Sequence, residues 1–359
     1  MSWMKSIEGL SLCFTIGAWA GVTVSGSIPW EISPLVLTLA ATPVLLKKRL
    51  PTLPGSISFP LILGSFLLLG FFAGTVNAFP SASVFSPAGW AETSCERLKT
   101  FIADIPFPSE DTASLLTALF TGDRSGLARE TVSAFRESGA SHILALSGLH
   151  LGIIYVLFDQ LTRVAGQSPV ARKLRFAAIV LGTGFFTLMT GASPSLVRAF
   201  LFILINEVLR LTGRPRKASR VLCLALLIQL VLDPSAIRSL GFQLSYLAMA
   251  GIFFLYPVLE TWYPSSPGWD PFRRIWKAAA LSISCQIFTG PLVWLRFHTF
   301  PRYFLLTNLL ALPLTTLLMT CAVATVTLSA AGICPALLIK TTDTLCQTLQ
   351  RVLEIIASM

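Results

Sequence analysis

Long apolar runs alternate with short polar joints along the chain. A run of about 20 mostly apolar residues is long enough to cross a hydrocarbon layer. By that rule spans are predicted at 7–24, 28–46, 57–79, 142–162, 176–190, 195–211, 220–232, 240–258, 277–295 and 303–328. The runs 176–190 and 220–232 are the shortest and adjoin Gly/Pro breaks. Between the third and fourth runs lies the polar stretch 81–141, preceded and opened by a Pro/Ser/Gly-rich segment from Phe79 to Trp90 that reads as irregular chain. Further on, 112–121 and Arg129–Glu137 carry apolar positions at helical spacing, which predicts two short helices at the outer membrane surface. In the tail, Lys340, Asp343, Arg351 and Glu354 interleave with apolar positions, as in an amphipathic helix lying on a surface. The expected fold is all-α, a polytopic bundle of about ten spans. Its parts are a three-span region 1–80, an outer segment 81–141 with short amphipathic helices, a transmembrane domain 142–332 and a C-terminal amphipathic helix 333–359.

Composition agrees: 54% of residues are hydrophobic and 12% are charged, against about 25% charged in a soluble domain. The net charge of +10 is spread over joints rather than gathered in a tail. Lys47, Lys48 and Arg49; Arg163, Arg172, Lys173 and Arg175; Arg210, Arg214, Arg216, Lys217 and Arg220; and Arg273, Arg274 and Lys277 form four basic joints. They alternate with the spans if the N-terminus is cytoplasmic, which puts 81–141 outside a cytoplasmic membrane. Lys5 and the apolar run to Val24 imitate a signal peptide, but a second apolar run follows at once, so the first is read as a span. Seven cysteines without a CxxC pair suggest neither a disulfide framework nor a zinc site. No GxxxxGK[ST] is present, so no ATP site is expected, and no cofactor.

Several predicted spans carry polar residues on one face: Thr183, Thr187 and Thr190; Ser239, Gln243 and Tyr246; Ser282, Gln286 and Thr289; and Ser195 and Arg198 toward Asn206. An unpaired polar group in hydrocarbon costs several kcal/mol, about as much as a lost hydrogen bond or more, so such faces point into the bundle. Either they bond helix to helix, or together they line a wet central path. Thr190-Gly191-Ala192-Ser193-Pro194 joins two runs, and Gly290-Pro291 is expected to interrupt another. Glu207 and Arg210 fit a local pair. Arg198, Arg238, Arg296 and Arg302, with His298, fall at outer span ends, where they would attract a polyanion or contact lipid headgroups.

The stretch Gly122–Gly152 concentrates charge, glycine and two of the three histidines. Asp123 and Arg124 after Gly122 read as a turn with a local ion pair. Ser147 and His150 are helical neighbours, with His142 about 80° away around the same helix. As a nucleophile and base they would need a third, orienting group, and Asp123 is the nearest carboxylate candidate. The preferred reading is structural: Ser147-Gly148 lets helices approach, and both histidines cap or line a pore. No metal-ligand spacing is present.

Three stretches, GDRSGL…SHILALSGLHLG (122–152), TGASPSLVRAF (190–200) and DPSAIRSLGFQLSYLA (233–248), resemble the competence domain of ComEC-type DNA-uptake channels. The resemblance covers roughly 110 to 330 by the order and spacing of those stretches. It implies a channel that passes one DNA strand across the cytoplasmic membrane during natural transformation. It also implies an outer DNA receptor and a cytoplasmic helicase-like motor as partners, with membrane lipid around the chain and homo-oligomers open. Larger relatives carry an outer OB-type domain and a metallo-β-lactamase-like domain. The outer segment here is too short for the first, and the HxHxDH signature of the second is absent, so the chain is expected to be a non-enzymatic channel part. The DNA path is assigned to His142, Ser147, His150, Arg198, Arg238, Gln243, Tyr246 and Arg302, with Asp123 and Arg124 fixing the outer helices. Two alternatives stay open: a small-anion or lipid-type transporter with a site at Arg198, and an intramembrane hydrolase using Ser147 and His150.

Overall fold

The computed structural model describes residues 2–24, 55–75, 89–163, 166, 168–263, 270–298 and 300–359. The predicted span 28–46, the basic joint Lys47-Lys48-Arg49 and residues 79–88 lie outside the described residues. In chain order the helices are α1 (Ser2–Val24), α2 (Gly55–Thr75), α3 (Gly89–Ala103), α4 (Glu110–Thr121), α5 (Arg129–Glu137), α6 (Ser141–Leu144) and α7 (Gly148–Arg163). Then follow α8 (Pro169–Met189), α9 (Pro194–Leu211), α10 (Ala218–Leu232), a 3₁₀ turn (Pro234–Arg238), α11 (Leu240–Phe254), α12 (Tyr256–Glu260), α13 (Pro271–Phe297), α14 (Phe304–Ala330) and α15 (Ala336–Ala357). Among the described residues the fold is all-α.

Among the described residues two of these helices, α13 and α14, are long and apolar enough to cross a membrane. The helices α10 and α11 are apolar but have 15 residues each, about 22 Å at 1.5 Å per residue, short of a hydrocarbon core of about 30 Å. The run 240–258 is divided because Pro257 lacks an amide hydrogen and its ring would clash with the carbonyl four residues back. The run 142–162 is divided too, at Ala145–Ser147, where a new helix is capped. Gly290-Pro291 does not interrupt its span: α13 runs through Pro291, as α14 runs through Pro313. The joint after α8 is a tight turn in which Gly191 and Ala192 both take positive φ, 82° and 49°.

Contacts gather the chain into two bodies. The first holds Met1–Ser86, Gln167–Val180 and Val197–Gln243. Its centre is the pair α1 and α2. A Cβ added at Gly17 or Gly21 would lie within 3.0 Å of the carbonyl of Leu67 or Phe71, and one added at Gly70 or Gly74 within 3.0 Å of that of Phe14 or Ala18. The contacting numbers rise together, so the helices are parallel. Each presents a G-x-x-x-G step to the other, which lets the backbones touch. α10 and the 3₁₀ turn pack on α1.

The second body holds Pro87–Gly166, Leu181–Leu196 and Leu244–Met359. Here α14 and α15 form an antiparallel hairpin, with Thr325 and Thr342 hydroxyls 2.9 Å apart near one end and the Tyr303 hydroxyl donating to the Met359 carbonyl at 3.0 Å near the other. α15 also packs on α4 and α5, α3 on α4, and α7 and α13 on α14. The tail helix therefore does not lie free on a surface: Cys346, Leu349, Leu353 and Ile356 are covered by protein. Nor are α4 and α5 loose surface helices, since Leu115, Leu116, Leu119 and Phe135 are fully enclosed. The tail is joined to α4 through Asp343, which is 3% exposed. Its carboxylate accepts from the Ser109 amide (3.2 Å), the Ser109 hydroxyl (3.2 Å), the Thr112 hydroxyl (2.6 Å) and Gln347 Nε2 (2.9 Å). A carboxylate from one helix thus caps the N-terminus of another, where the dipole favours negative charge.

Candidate functional site

The start of α7 explains Ser147 and His150. Ser147 precedes the helix, and its hydroxyl accepts from the Leu149 amide at 3.3 Å. His150 Nδ1 accepts from the Ser147 amide at 3.2 Å and lies 3.0 Å from the Ser147 hydroxyl. This is a capping box in which histidine stands where glutamate or glutamine is usual. Because a backbone amide donates to Nδ1, the ring proton sits on Nε2. His150 is 1% exposed, and among the described residues Nε2 has no hydrogen-bond partner. The pair therefore has no orienting carboxylate, and its contact serves the helix start rather than a hydrolytic nucleophile. His142 is exposed, its Nδ1 3.2 Å from the Gly139 carbonyl.

Asp123 pairs with Lys99 at 2.7 Å and accepts from the Ser125 amide at 3.0 Å. Its ion-pair partner is thus not Arg124, which is exposed, but a lysine on α3, a helix that the sequence pattern did not suggest. The Lys99 ammonium, helped by the Ser125 amide, holds the Asp123 carboxyl well below the usual range, and Asp123 and Glu96 push Lys99 above its own. With Thr100, Ser114 and Thr117 the pair lines a shallow cavity of about 310 Å³. Asp123 fastens the C-terminal end of α4 to α3.

In the first body Arg238 donates to the Val22 carbonyl at the end of α1, and Gln243 Nε2 donates to the Ile237 carbonyl at 2.8 Å. Arg198, half-buried, has partners of its own, and so does Tyr246 in the second body. Arg302 is exposed in the turn between α13 and α14. Four of the stripe residues are quenched within their own helices. Thr187, Thr190 and Thr289 donate to the carbonyls of Thr183, Phe186 and Cys285, and Asn206 to that of Phe202.

Four groups of the second body are not quenched. Besides His150 Nε2, the buried atoms Gln286 Nε2 on α13 and Asn308 Oδ1 and Thr315 Oγ1 on α14 have no partner among the described residues. Thr315 is 0% exposed. Asn308 and Thr315 are seven residues apart, on one face of α14, the helix against which α7 and α13 both pack. Asn308 and Thr315 were not singled out from sequence. Their seven-residue spacing was the available signal, but threonine and asparagine in an apolar run are ordinarily self-satisfied. No three His, Cys, Asp or Glu gather as metal ligands among the described residues.

The chain is 26% identical over 249 residues to the Escherichia coli K12 protein named Uncharacterized protein YcaI, covering 66% of this chain and 32% of that one. It is 25% identical over 204 residues to ComE operon protein 3 of Bacillus subtilis 168 (56% and 25%) and 31% identical over 157 residues to Competence protein ComA of Neisseria gonorrhoeae (42% and 23%). The chain thus spans a third or less of the length of these relatives. No solved structure matches it. A family model described as Competence protein matches residues 119–359, from the last turn of α4 through the tail helix, and the chain therefore belongs to the Competence family.

Proposed function

We propose that the chain is a polytopic protein of the cytoplasmic membrane that passes single-stranded DNA inward during natural transformation. Membership of the Competence family supports a role in DNA uptake, and two of the relatives carry competence in their names or operon. The observation that carries the channel reading is the set of buried, unpartnered polar atoms on α7, α13 and α14. An apolar bundle without a wet interior has no use for them, because each costs what an unmade hydrogen bond costs.

The membrane setting rests on α13. Exposed Phe272 and half-buried Trp276 stand near one end, and exposed Trp294 and Phe297 near the other. Trp276 and Trp294 are about 27 Å apart at 1.5 Å per residue, the separation of the two aromatic belts of a bilayer. Arg273, Arg274 and Lys277 mark the inner end and Arg296 the outer. The parallel α1 and α2 suit the first and third members of a three-span region whose N-terminus is cytoplasmic. The exposed Arg302 and the half-buried Arg198 are the cations offered to an incoming phosphate chain, while Arg238, Gln243, Tyr246 and His142 complete the proposed path. No ATP motif is present in this chain, so the driving force is assigned to a cytoplasmic motor, with an outer receptor delivering DNA.

The test is uptake of labelled DNA into the cytoplasm of cells whose own copy is deleted. The intact chain restores uptake, and Arg198→Ala or Arg302→Ala reduces it at unchanged protein level. Uptake that never depends on the chain removes the proposal.

A further inference from the structure

Resting on that reading, we infer that the path is narrowest in chemistry at a belt of uncharged hydrogen-bonding groups, centred on Gln286 and Thr315, with His150 on α7 and with Asn308 about 10 Å nearer the turn, and that this belt contacts the phosphodiester backbone. Thr315 lies eleven residues into α14, and Gln286 eleven residues before the end of α13. The two helices are joined by a short turn and pack together. At 1.5 Å per residue both groups sit about 16 Å from that turn, the middle of a hydrocarbon core about 30 Å thick. Two buried polar atoms without partners thus fall at one depth on facing helices, where an unmade bond costs most.

The chemistry of the set selects its occupant. His150 Nε2 carries a proton because its Nδ1 accepts from the Ser147 amide. Gln286 Nε2 is a donor and the Thr315 hydroxyl can donate, whereas the unpartnered Asn308 atom is Oδ1, an acceptor. Donors outnumber acceptors, and none of the four side chains is a lysine, arginine or carboxylate. A moving polyanion needs such a lining. Neutral donors replace part of the hydration of each phosphate oxygen, whereas a fixed guanidinium in low dielectric would hold the phosphate in place. Cations belong at the mouth and neutral donors at mid-depth.

Two measurements test the belt. In a cysteine-free background, Gln286→Cys and Thr315→Cys are exposed in membranes to a charged, membrane-impermeant thiol reagent, with Leu318→Cys on the packed core as the control. Labelling of both positions at least about tenfold faster than Leu318→Cys is expected, the ratio of a solvated to an enclosed site. Labelling no faster than Leu318→Cys overturns the belt. Second, Gln286→Leu with Thr315→Val removes both orphaned groups at similar volume. A packing imperfection so repaired would leave uptake unchanged and the protein equal or more stable, and that outcome overturns the proposal. The expected result is a protein at least as stable as the parent whose DNA uptake falls about tenfold or more, as the loss of a mid-path hydrogen bond raises the barrier. If the parent chain never restores uptake, the DNA reading fails while thiol labelling still decides whether the belt is wet.

Discussion

Asp343→Ala isolates the contact that joins the tail helix to the outer segment. The carboxylate receives four hydrogen bonds and is nearly sealed from solvent. On its removal the Ser109 hydroxyl and Gln347 keep the hydrogen bond they already share and can turn to water. The Ser109 amide and the enclosed Thr112 hydroxyl are less free to do so. Each orphaned donor costs about 1–3 kcal/mol, and loss of a negative charge at a helix N-terminus adds about 0.5 kcal/mol. Relief from burying the carboxylate offsets part of this, leaving an expected destabilisation of about 2–4 kcal/mol. Denaturant unfolding of the purified protein in detergent measures it. Asp343→Asn keeps the shape and one acceptor and is expected to lose about half as much. In a cycle with Thr112→Val the two substitutions should be coupled by at least about 1 kcal/mol. Additivity within about 0.5 kcal/mol, the behaviour of independent sites, would refute the capping argument even if each variant were unstable.

Three other outcomes are expected. Gly17→Val forces a side chain into the Leu67 carbonyl and should abolish accumulation of folded protein, whereas Gly64→Ala, with open space at its Cβ position, should leave it unchanged or raise it, as immunoblots of membranes would report. The Lys99–Asp123 pair, partly exposed, should contribute about 1 kcal/mol. The depressed Asp123 carboxyl means that this contribution is present above the ordinary carboxylate range near pH 4 and is lost as acid carries the pH down through the folded value. Unfolding midpoints of the parent and Asp123→Asn should therefore converge only in strong acid, and convergence already at pH 6 would contradict the pairing. At the start of α7, His150→Ala should cost about 1 kcal/mol, and His150→Glu should restore that stability through the usual capping box without restoring DNA uptake. Restored uptake would show that the imidazole serves only the cap.

Much of the helical frame is legible from spacing. Arg129–Glu137 is read to the residue because its apolar positions recur at helical spacing and Ser138-Gly139 ends it. The helix α14 begins and ends within two residues of the predicted run 303–328, whereas α13 ends two residues after the run 277–295 but begins six before it. The apolar run 142–162 reads as one span because Ser147 and Gly148 do not break its hydropathy, although Ser-x-x-His is also a capping pattern. The helix α3 was hidden by the Pro/Ser/Gly approach to it, although Ala91 and Ile102 are buried at helical spacing. Spacing gives a helix its face but not what covers that face. Asp343 therefore read as solvated, and Asp123 was paired with its sequence neighbour rather than with Lys99. The polar stripes show the same limit in reverse, since the hydroxyls of Thr187, Thr190 and Thr289 bond backward along their own helices.

The central proposal is that this chain forms a path for one DNA strand. Planar-bilayer recording of the purified protein tests it most directly, with voltage in place of the motor and a single-stranded oligonucleotide on one side. The account predicts a steady ionic conductance interrupted by brief blocks that depend on the oligonucleotide and on polarity. A membrane that stays silent with the protein inserted, or a conductance that DNA never interrupts, would contradict it.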